Sequence, residues 1–176
     1  MSFSFNAAEV FQTAVEIEKN GLDFYTKASQ AMSDPDMKEL FASLAKDEVA
    51  HKKRFENILS DLPEELKRPT VSDPDGEVDL YIRALAGQHV FGPGDRPAID
   101  PENLGTIEDV LKLAIQFEKD SVIFYLNMQE NTSEGKAREI VTILVNEELR
   151  HVRRLSLKLN RCPSDVKACL INWPKS

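Results

Sequence analysis

Six residues whose side chains can bind a metal ion recur in this chain with an offset of 100 positions. They are Glu18, Glu48 and His51 in the first copy and Glu118, Glu148 and His151 in the second copy. In each copy the last two residues form a Glu-x-x-His motif, and this spacing places both side chains on one face of a helix. Carboxylate and imidazole groups together suit iron or manganese, and zinc is not excluded. The residue types therefore predict metal chemistry carried by an internal repeat.

Each of these residues interrupts the apolar stripe of a predicted amphipathic helix. In the first helix the stripe runs through Phe11, Val15 and Leu22, and Glu18 falls within it. Ionised carboxylates inside a dry bundle are costly unless they are compensated, and two divalent cations would neutralise four of them. Solvated surface acids with incidental histidines are the alternative, but they do not explain why all six residues lie in the stripes. The pattern therefore predicts a buried site.

Turn signals place the acids of each copy at one level. Glu18 and Glu48 each lie 15 residues from Ser33, where the sequence Ser-Asp-Pro indicates a turn. At a rise of about 1.5 Å per residue both carboxylates stand roughly 22 Å from that turn, so they are level in an antiparallel hairpin. Ser133 bisects the two acids of the second copy in the same way. We therefore expect two hairpins to share a single site.

The chain is predicted to be one all-α domain of 176 residues, made of two duplicated helical hairpins. Hairpin one covers residues 6–60, a long crossover 61–105, hairpin two 106–161 and a C-terminal tail 162–176. Asn6, Asp34 and Thr106 are the expected helix caps, and Pro35 is the expected first residue of the second helix. The crossover holds an amphipathic stretch at about 78–88, which predicts a short helix. We expect the crossover to pack along the bundle and to contribute to a homodimer contact.

Two helices that supply one Glu each and two that supply Glu-x-x-His form the ligand set of ferritin-like di-iron carboxylate bundles. Within that superfamily the chain most resembles the rubrerythrin branch, because Tyr25 follows Glu18 by seven residues and precedes the first Glu-x-x-His motif. Residues 17–21 and 81–86 are also similar to segments of short rubrerythrin-like proteins of bacteria and archaea. The resemblance implies a ferritin-like antiparallel four-helix bundle that holds two iron ions, with manganese or zinc as alternatives in the same site.

The resemblance also implies a role for each ligand. Glu48 and Glu148 would bridge the two ions, Glu18 and Glu118 would be terminal ligands, and His51 and His151 would bind one ion each. Tyr25 and Tyr125 lie two turns from a ligand Glu on the same stripe. Each phenol could donate a hydrogen bond to a carboxylate of the opposite hairpin or simply fill the core. We take both tyrosines, with Glu48 and Glu148, as the catalytic candidates.

Acidic residues also directly precede the two expected bridging acids. In bundles of this class an acid at that position often accepts the second ring N–H of a ligand histidine from the other half, which determines the histidine tautomer. This predicts that Asp47 pairs with His151 and that Glu147 pairs with His51. Ordinary exposed acids are the alternative interpretation for both positions.

Two features distinguish the chain from rubrerythrins that carry a rubredoxin domain. Ile115 occupies the place of an additional glutamate one turn before Glu118, and no Cys-x-x-Cys motif is present. Cys162 and Cys169 lie seven residues apart, a spacing that fits neither a redox motif nor a zinc site, and we interpret them as reduced structural thiols. The resemblance thus implies redox chemistry with peroxide or dioxygen that draws electrons from an external donor, such as a rubredoxin-type protein. An iron(II)-oxidising storage protein and a metal-stabilised, non-catalytic binding module are the alternative functions.

Composition limits the remaining function classes. A formal net charge of −8 argues against a nucleic-acid-binding surface, because phosphate contacts need clusters of basic residues. The sequence shows neither a basic leader followed by an apolar segment nor an apolar run of membrane-spanning length, so we expect a cytoplasmic protein that does not enter membranes. His89, in the crossover, has no carboxylate at ligand spacing and is interpreted as a loop histidine.

Overall fold

The computed structural model of this chain describes residues 7–64, 105–132, 135–169 and 171. It contains four long helices, α1 (Ala7–Ala31), α2 (Pro35–Asp61), α3 (Ile107–Asn131) and α4 (Lys136–Arg161), and a one-turn helix, α5 (Ser164–Lys167). The predicted all-α architecture of four long helices is confirmed. Asn6, the amphipathic stretch at 78–88 and His89 lie outside the described residues. None of the helices within the described ranges is both long enough and apolar enough to cross a membrane.

Local sequence signals begin two of these helices at the predicted residues. The side chain of Asp34 accepts a hydrogen bond from the backbone N–H of Met37 at 2.9 Å, directly before Pro35 opens α2. Thr106 and Asp109 form a capping box at the start of α3, in which each side chain accepts a bond from the backbone N–H of the other residue. These bonds satisfy N–H groups that have no partner inside the helix.

The ends of the helices differ from the sequence pattern by one or two residues. The pattern predicts ends at about Met32, Leu59 and Asn160, whereas α1 ends one residue earlier, α2 two residues later and α4 one residue later. The turn of the second hairpin includes Gly135 at a φ of 136°, a conformation that a residue with a Cβ atom rarely adopts. Pro163 follows α4 and caps the short α5.

Ring contacts show how the two hairpins face each other. The ring centroid of Phe55 lies 6.2 Å from that of Phe11, near the start of α1, and 5.1 Å from that of Tyr125, near the end of α3. The ring centroid of Tyr25, near the end of α1, lies 5.8 Å from that of Phe117, in the first half of α3. Helices α1 and α3 are therefore antiparallel. The end of α2 and the start of α3 lie at opposite ends of the bundle, which is why a tight turn cannot join them.

Two apolar clusters fill the bundle, one toward each end. The first includes Phe24, Phe41 and Phe117, and the second includes Phe11 and Phe55. Each cluster draws residues from both hairpins, so the burial of apolar surface holds the hairpins together. The middle level of the bundle, between the clusters, is where the acids and histidines of the repeat lie.

Candidate metal centre

The structure brings all six sequence-predicted ligands into the interior of the bundle. Helix α1 supplies Glu18, α2 supplies Glu48 and His51, α3 supplies Glu118, and α4 supplies Glu148 and His151. Every one of them is buried, with an exposed fraction between 0% and 4%. Four carboxylates and two imidazoles therefore share one level of a dry core.

Two overlapping groups of four residues have ligand atoms close enough to hold a cation. We define the His51 group as Glu18, Glu48, His51 and Glu148, and the His151 group as Glu48, Glu118, Glu148 and His151. Within each group the ligand atoms all lie within 4.8 Å of one another. Glu48 and Glu148 belong to both groups, so each of these two residues can face two cations at once.

The Nδ1 atoms of both imidazoles face the carboxylates. His51 Nδ1 lies 2.8 Å from Glu148 Oε1 and 3.4 Å from Glu18 Oε2. His151 Nδ1 lies 3.0 Å from Glu148 Oε2 and 3.4 Å from Glu118 Oε1. The two rings stack with their centroids 5.6 Å apart. Their Nε2 atoms face away from the four acids of the layer and toward Glu147 and Asp47. Nδ1 is therefore the ring atom available to a metal ion.

Buried polar atoms in this layer lack hydrogen-bond partners. Among the described residues these atoms are Glu18 Oε2, both carboxylate oxygens of Glu48 and Glu118 Oε2. His51 Nδ1 and Glu148 Oε1 lie 2.8 Å apart but do not meet in hydrogen-bond geometry. A buried donor or acceptor without a partner costs about 1–3 kcal/mol, and more when it is charged. A cation would give each of these atoms a ligand bond. The donor set of carboxylate oxygen and imidazole nitrogen therefore fits transition-metal ions.

The protonation of the metal-free cluster reflects the same crowding. Burial, together with the neighbouring Glu18, raises the pKa of Glu48 well above its ordinary value, and burial with Glu148 does the same for Glu118. Burial opposes protonation of His151, but the carboxylates of Glu118 and Glu148 outweigh it and raise the pKa of that imidazole to about 10. The metal-free layer therefore holds extra protons at neutral pH, and a metal ion must displace them.

Outside this layer, an acid of the opposite hairpin meets each histidine. His51 Nε2 lies 3.0 Å from Glu147 Oε2, and His151 Nε2 lies 3.2 Å from Asp47 Oδ2. An ionised carboxylate accepts hydrogen bonds only, so each Nε2–H donates, and Nδ1 is the ring atom that would bind a metal ion once its proton is lost. The sequence analysis predicts these same two pairs, Glu147 with His51 and Asp47 with His151.

The two tyrosines also connect the hairpins. Tyr25 donates a hydrogen bond to Glu118 Oε1 at 2.5 Å, and Tyr125 donates one to Glu18 Oε1. Both side chains are fully buried, and burial raises the pKa of each phenol well above its ordinary value. Each tyrosine therefore does both things that the sequence allows: its ring fills the core, and its hydroxyl donates to a carboxylate of the opposite hairpin.

The model of the rubrerythrin family matches residues 9–159 of this sequence. This chain belongs to the rubrerythrin family. The resemblance drawn from the doubled motif is thereby confirmed, and the match covers the four long helices almost completely. Membership in the rubrerythrin family and the buried Glu and His cluster together fit a di-iron site.

Solved structures show the same fold. One, described as a ferritin-like diiron-carboxylate protein of Thermotoga maritima, matches with a TM-score of 0.65 and 20% identity over 93% of this chain and 100% of the other. A hypothetical protein of Pyrococcus furiosus matches with a TM-score of 0.60 and 18% identity over 89% of each chain. No curated protein sequence matches this chain. The ferritin-like fold predicted from the sequence is confirmed.

The residues behind two expected differences from rubrerythrins with a rubredoxin domain, Ile115 and the two cysteines, are visible in the structure. Ile115 is half-buried and packs against the apolar cluster that includes Phe117, so it adds no carboxylate to the layer. Cys162 is buried and Cys169 is exposed, and both are free thiols beyond the end of α4. Neither cysteine belongs to the His51 group or the His151 group.

Gly21 is a site residue that the motif analysis does not identify. A Cβ atom at this position would lie 2.5 Å from Cζ of Phe117 and 3.3 Å from Cδ of Glu48. The missing side chain thus makes room for an aromatic ring and for one of the two shared acids. A lone glycine inside a helix, where it costs about 1 kcal/mol relative to alanine, is the signal that could have revealed this contact.

Gly21→Ala is expected to destabilise the protein and weaken metal loading, although alanine is the better helix former. Phe117 is buried against Tyr25, so its ring cannot move without disturbing the phenol that donates to Glu118. Overpacking of this kind costs about 1–3 kcal/mol. Urea denaturation and metal analysis would measure both effects. Thr26→Ala, at an exposed position of the same helix, is the control and should change stability by less than about 0.5 kcal/mol. Equal stability of the two variants would show that the helix moves aside freely.

Proposed function

We propose that this chain holds two iron ions and carries out redox chemistry with peroxide or dioxygen, using electrons from a separate donor. The observation that carries the proposal is the pair of overlapping ligand groups, in which Glu48 and Glu148 are common to both. Two groups that share acids favour a two-metal centre over two isolated sites. Family membership supports iron as the metal, because the same donor set also accepts manganese or zinc.

Each residue of the layer would have a distinct part in holding the pair. Glu48 and Glu148 would bridge the ions, Glu18 and Glu118 would each bind one ion, and His51 and His151 would each bind one ion through Nδ1. When bound, iron supplies the electrons that reduce the oxidant. The four acids would neutralise the charge of two divalent ions, which is what permits so many carboxylates in a buried layer.

The surrounding side chains would orient the ligands by hydrogen bonds and limit the access of water to the metal ions. Tyr25 and Tyr125 keep their protons at neutral pH, because burial raises the pKa of each phenol. Each therefore remains a hydrogen-bond donor that orients a terminal carboxylate. Asp47 and Glu147 would orient the histidines in the same manner, through the Nε2–H groups.

Oxidised iron would need electrons from another protein before it could react again. The sequence contains two cysteines, seven residues apart, and no Cys-x-x-Cys pair that could hold a further iron ion. Both thiols lie outside the ligand groups. We therefore propose that an external protein of the rubredoxin type returns electrons to the centre after each oxidation.

A single oxidation is expected when the anaerobic iron(II) form is mixed with peroxide, followed by no sustained turnover until an electron donor is added. Stopped-flow absorbance with and without a rubredoxin-type donor would measure both steps. The double variant Cys162→Ser, Cys169→Ser should show the same first oxidation, because these thiols do not touch the layer. Sustained peroxide consumption without a donor, or loss of the first oxidation in that double variant, would contradict the proposed electron supply.

A further inference from the structure

The outer partners of the two histidines are not equivalent, although the repeat places both at the same position. The side chain of Glu147 is 20% exposed, and it contacts Arg54 of α2 and Arg150 of α4. The side chain of Asp47 is 41% exposed and lies 3.6 Å from Arg154. Water therefore competes more strongly for Asp47 than for Glu147, and the position of Glu147 is set from both hairpins.

The same inequality appears in the ring contacts. The distance from His51 Nε2 to Glu147 is 3.0 Å, whereas His151 Nε2 lies 3.2 Å from the shorter side chain of Asp47. A carboxylate held by two arginines keeps the imidazole in one orientation, so the ring loses less freedom when a metal ion binds. The ring of His51 is thus better prepared for a metal ion than the ring of His151.

The inner atoms of the two groups are closely matched. His51 Nδ1 lies 2.8 Å from Glu148 Oε1, and His151 Nδ1 lies 3.0 Å from Glu148 Oε2. Each group also has one terminal carboxylate oxygen without a hydrogen-bond partner among the described residues, Glu18 Oε2 or Glu118 Oε2. The difference between the groups therefore lies in the outer partners of the two histidines.

We propose that the two metal positions fill in order, the His51 group before the His151 group, and that Glu147 is the positioning residue responsible for this order. The inference rests on the proposed two-metal site and adds a sequence of loading to it. One effect acts in the opposite direction, because the two arginines withdraw charge from Glu147 and weaken its pull on the imidazole. The fixed orientation of the His51 ring, held by a carboxylate that contacts arginines of both hairpins, outweighs that loss.

Two matched variants isolate the groups. Glu118→Ala leaves the His51 group intact, and Glu18→Ala leaves the His151 group intact. The truncations are equivalent, because each removes one terminal carboxylate and the acceptor of one tyrosine. Anaerobic titration with cobalt(II), followed by its visible absorption and by competition with a chelator, would give the affinity of each remaining group. We expect Glu118→Ala to bind cobalt(II) about tenfold more tightly than Glu18→Ala. The outer partner of a ligand histidine typically contributes 10- to 100-fold to metal affinity, and Glu147, which remains beside His51 in Glu118→Ala, is held more firmly than Asp47.

The role of Glu147 has its own test. Glu147→Gln in the Glu118→Ala background is expected to weaken cobalt(II) binding about tenfold, whereas Asp47→Asn in the Glu18→Ala background should change it less. The exchange Asp47→Glu with Glu147→Asp, introduced into both backgrounds, should narrow the ratio of the two affinities. A ratio unchanged by the exchange would overturn the assignment to Glu147.

The outcomes separate this inference from the proposed function. Native protein that binds fewer than two cobalt(II) ions would count against the shared site itself. Two ions in the native protein with equal affinities of the single-group variants would overturn only the order of loading. Far-UV circular dichroism checks that the variants fold, and the imidazole N–H signals of the native protein provide a second measurement. The first equivalent of cobalt(II) should perturb the N–H of one ring only, identified as His51 by its change in Glu147→Gln.

Discussion

Glu48→Ala is expected to reduce the metal content of the reconstituted protein from two ions per chain to less than one. Glu48 is the acid of α2 that belongs to both ligand groups, and both of its buried oxygens lack a partner among the described residues. Its removal takes a negative charge and a ligand from two positions at once. Metal analysis after anaerobic reconstitution and gel filtration would measure the loss.

Glu18→Ala is the matched control for that variant. Glu18 is equally buried, but it belongs to one group, so its removal should leave about one ion per chain in the His151 group. The two variants lose the same atoms from the same layer, and a difference between them reports sharing rather than general damage to the core. Equal and small losses in both would show that Glu48 does not bridge two ions.

Removal of the metal is expected to lower the melting temperature by about 10 °C at neutral pH. A ligand present at 1,000 times its dissociation constant stabilises the folded state by about 4 kcal/mol, and 1 kcal/mol corresponds to about 2–4 °C for a chain of this size. The metal-free protein keeps four carboxylates in a buried layer without the cations that would compensate their charge. Thermal melts with and without a chelator would measure the difference.

The difference between the two melting temperatures should widen as the pH rises from 5 to 9. Burial raises the pKa of Glu48 and Glu118 in the folded, metal-free protein, so their protonation favours folding below the ordinary value of about 4.5 and is lost as the pH rises through the raised values. The raised pKa of His151, about 10, acts in the same direction between about 6.5 and 10. The metal-free protein therefore loses stability toward alkaline pH.

The metal-bound protein should respond in the opposite direction over that range. Its ligands are deprotonated, so protons compete with the metal and binding strengthens as the pH rises. Glu148 should not titrate between pH 5 and 9. Burial opposes its ionisation, but the two imidazoles keep the pKa of this acid below its usual range. Melting curves of the two forms that run parallel from pH 5 to 9 would show that the acids do not share protons in the metal-free layer.

Much of this molecule follows from spacing along the chain. An α-helix has a constant rise and twist, so residue spacing alone places Glu18 and Glu48 at one level and puts Glu48 and His51 on one face. The caps at Asp34 and Thr106 depend on bonds within four residues, and the helices begin there. The recurrence of the same ligands in a second copy then indicates one buried layer of six residues.

Only some of the side-chain contacts between different helices could be predicted from the sequence. The sequence leaves each tyrosine with two interpretations, as a core residue or as a donor to a carboxylate, and the fold combines them in one side chain. Gly21 carries no chemistry of its own, and its importance comes from Phe117 and Glu48, which belong to other helices. Such contacts depend on which helices are neighbours, and spacing along one helix does not contain that information.

The sequence by itself therefore determined the family, the helices and the six residues of the layer, because each is encoded in local periodicity or in the repeat. The tertiary structure decided how that layer is divided, with Glu48 and Glu148 common to both groups and with Glu147 held more firmly than Asp47. The repeat makes the two halves alike in sequence position, whereas burial and arginine contacts depend on packing between helices. That packing is what gives two matching motifs unequal surroundings.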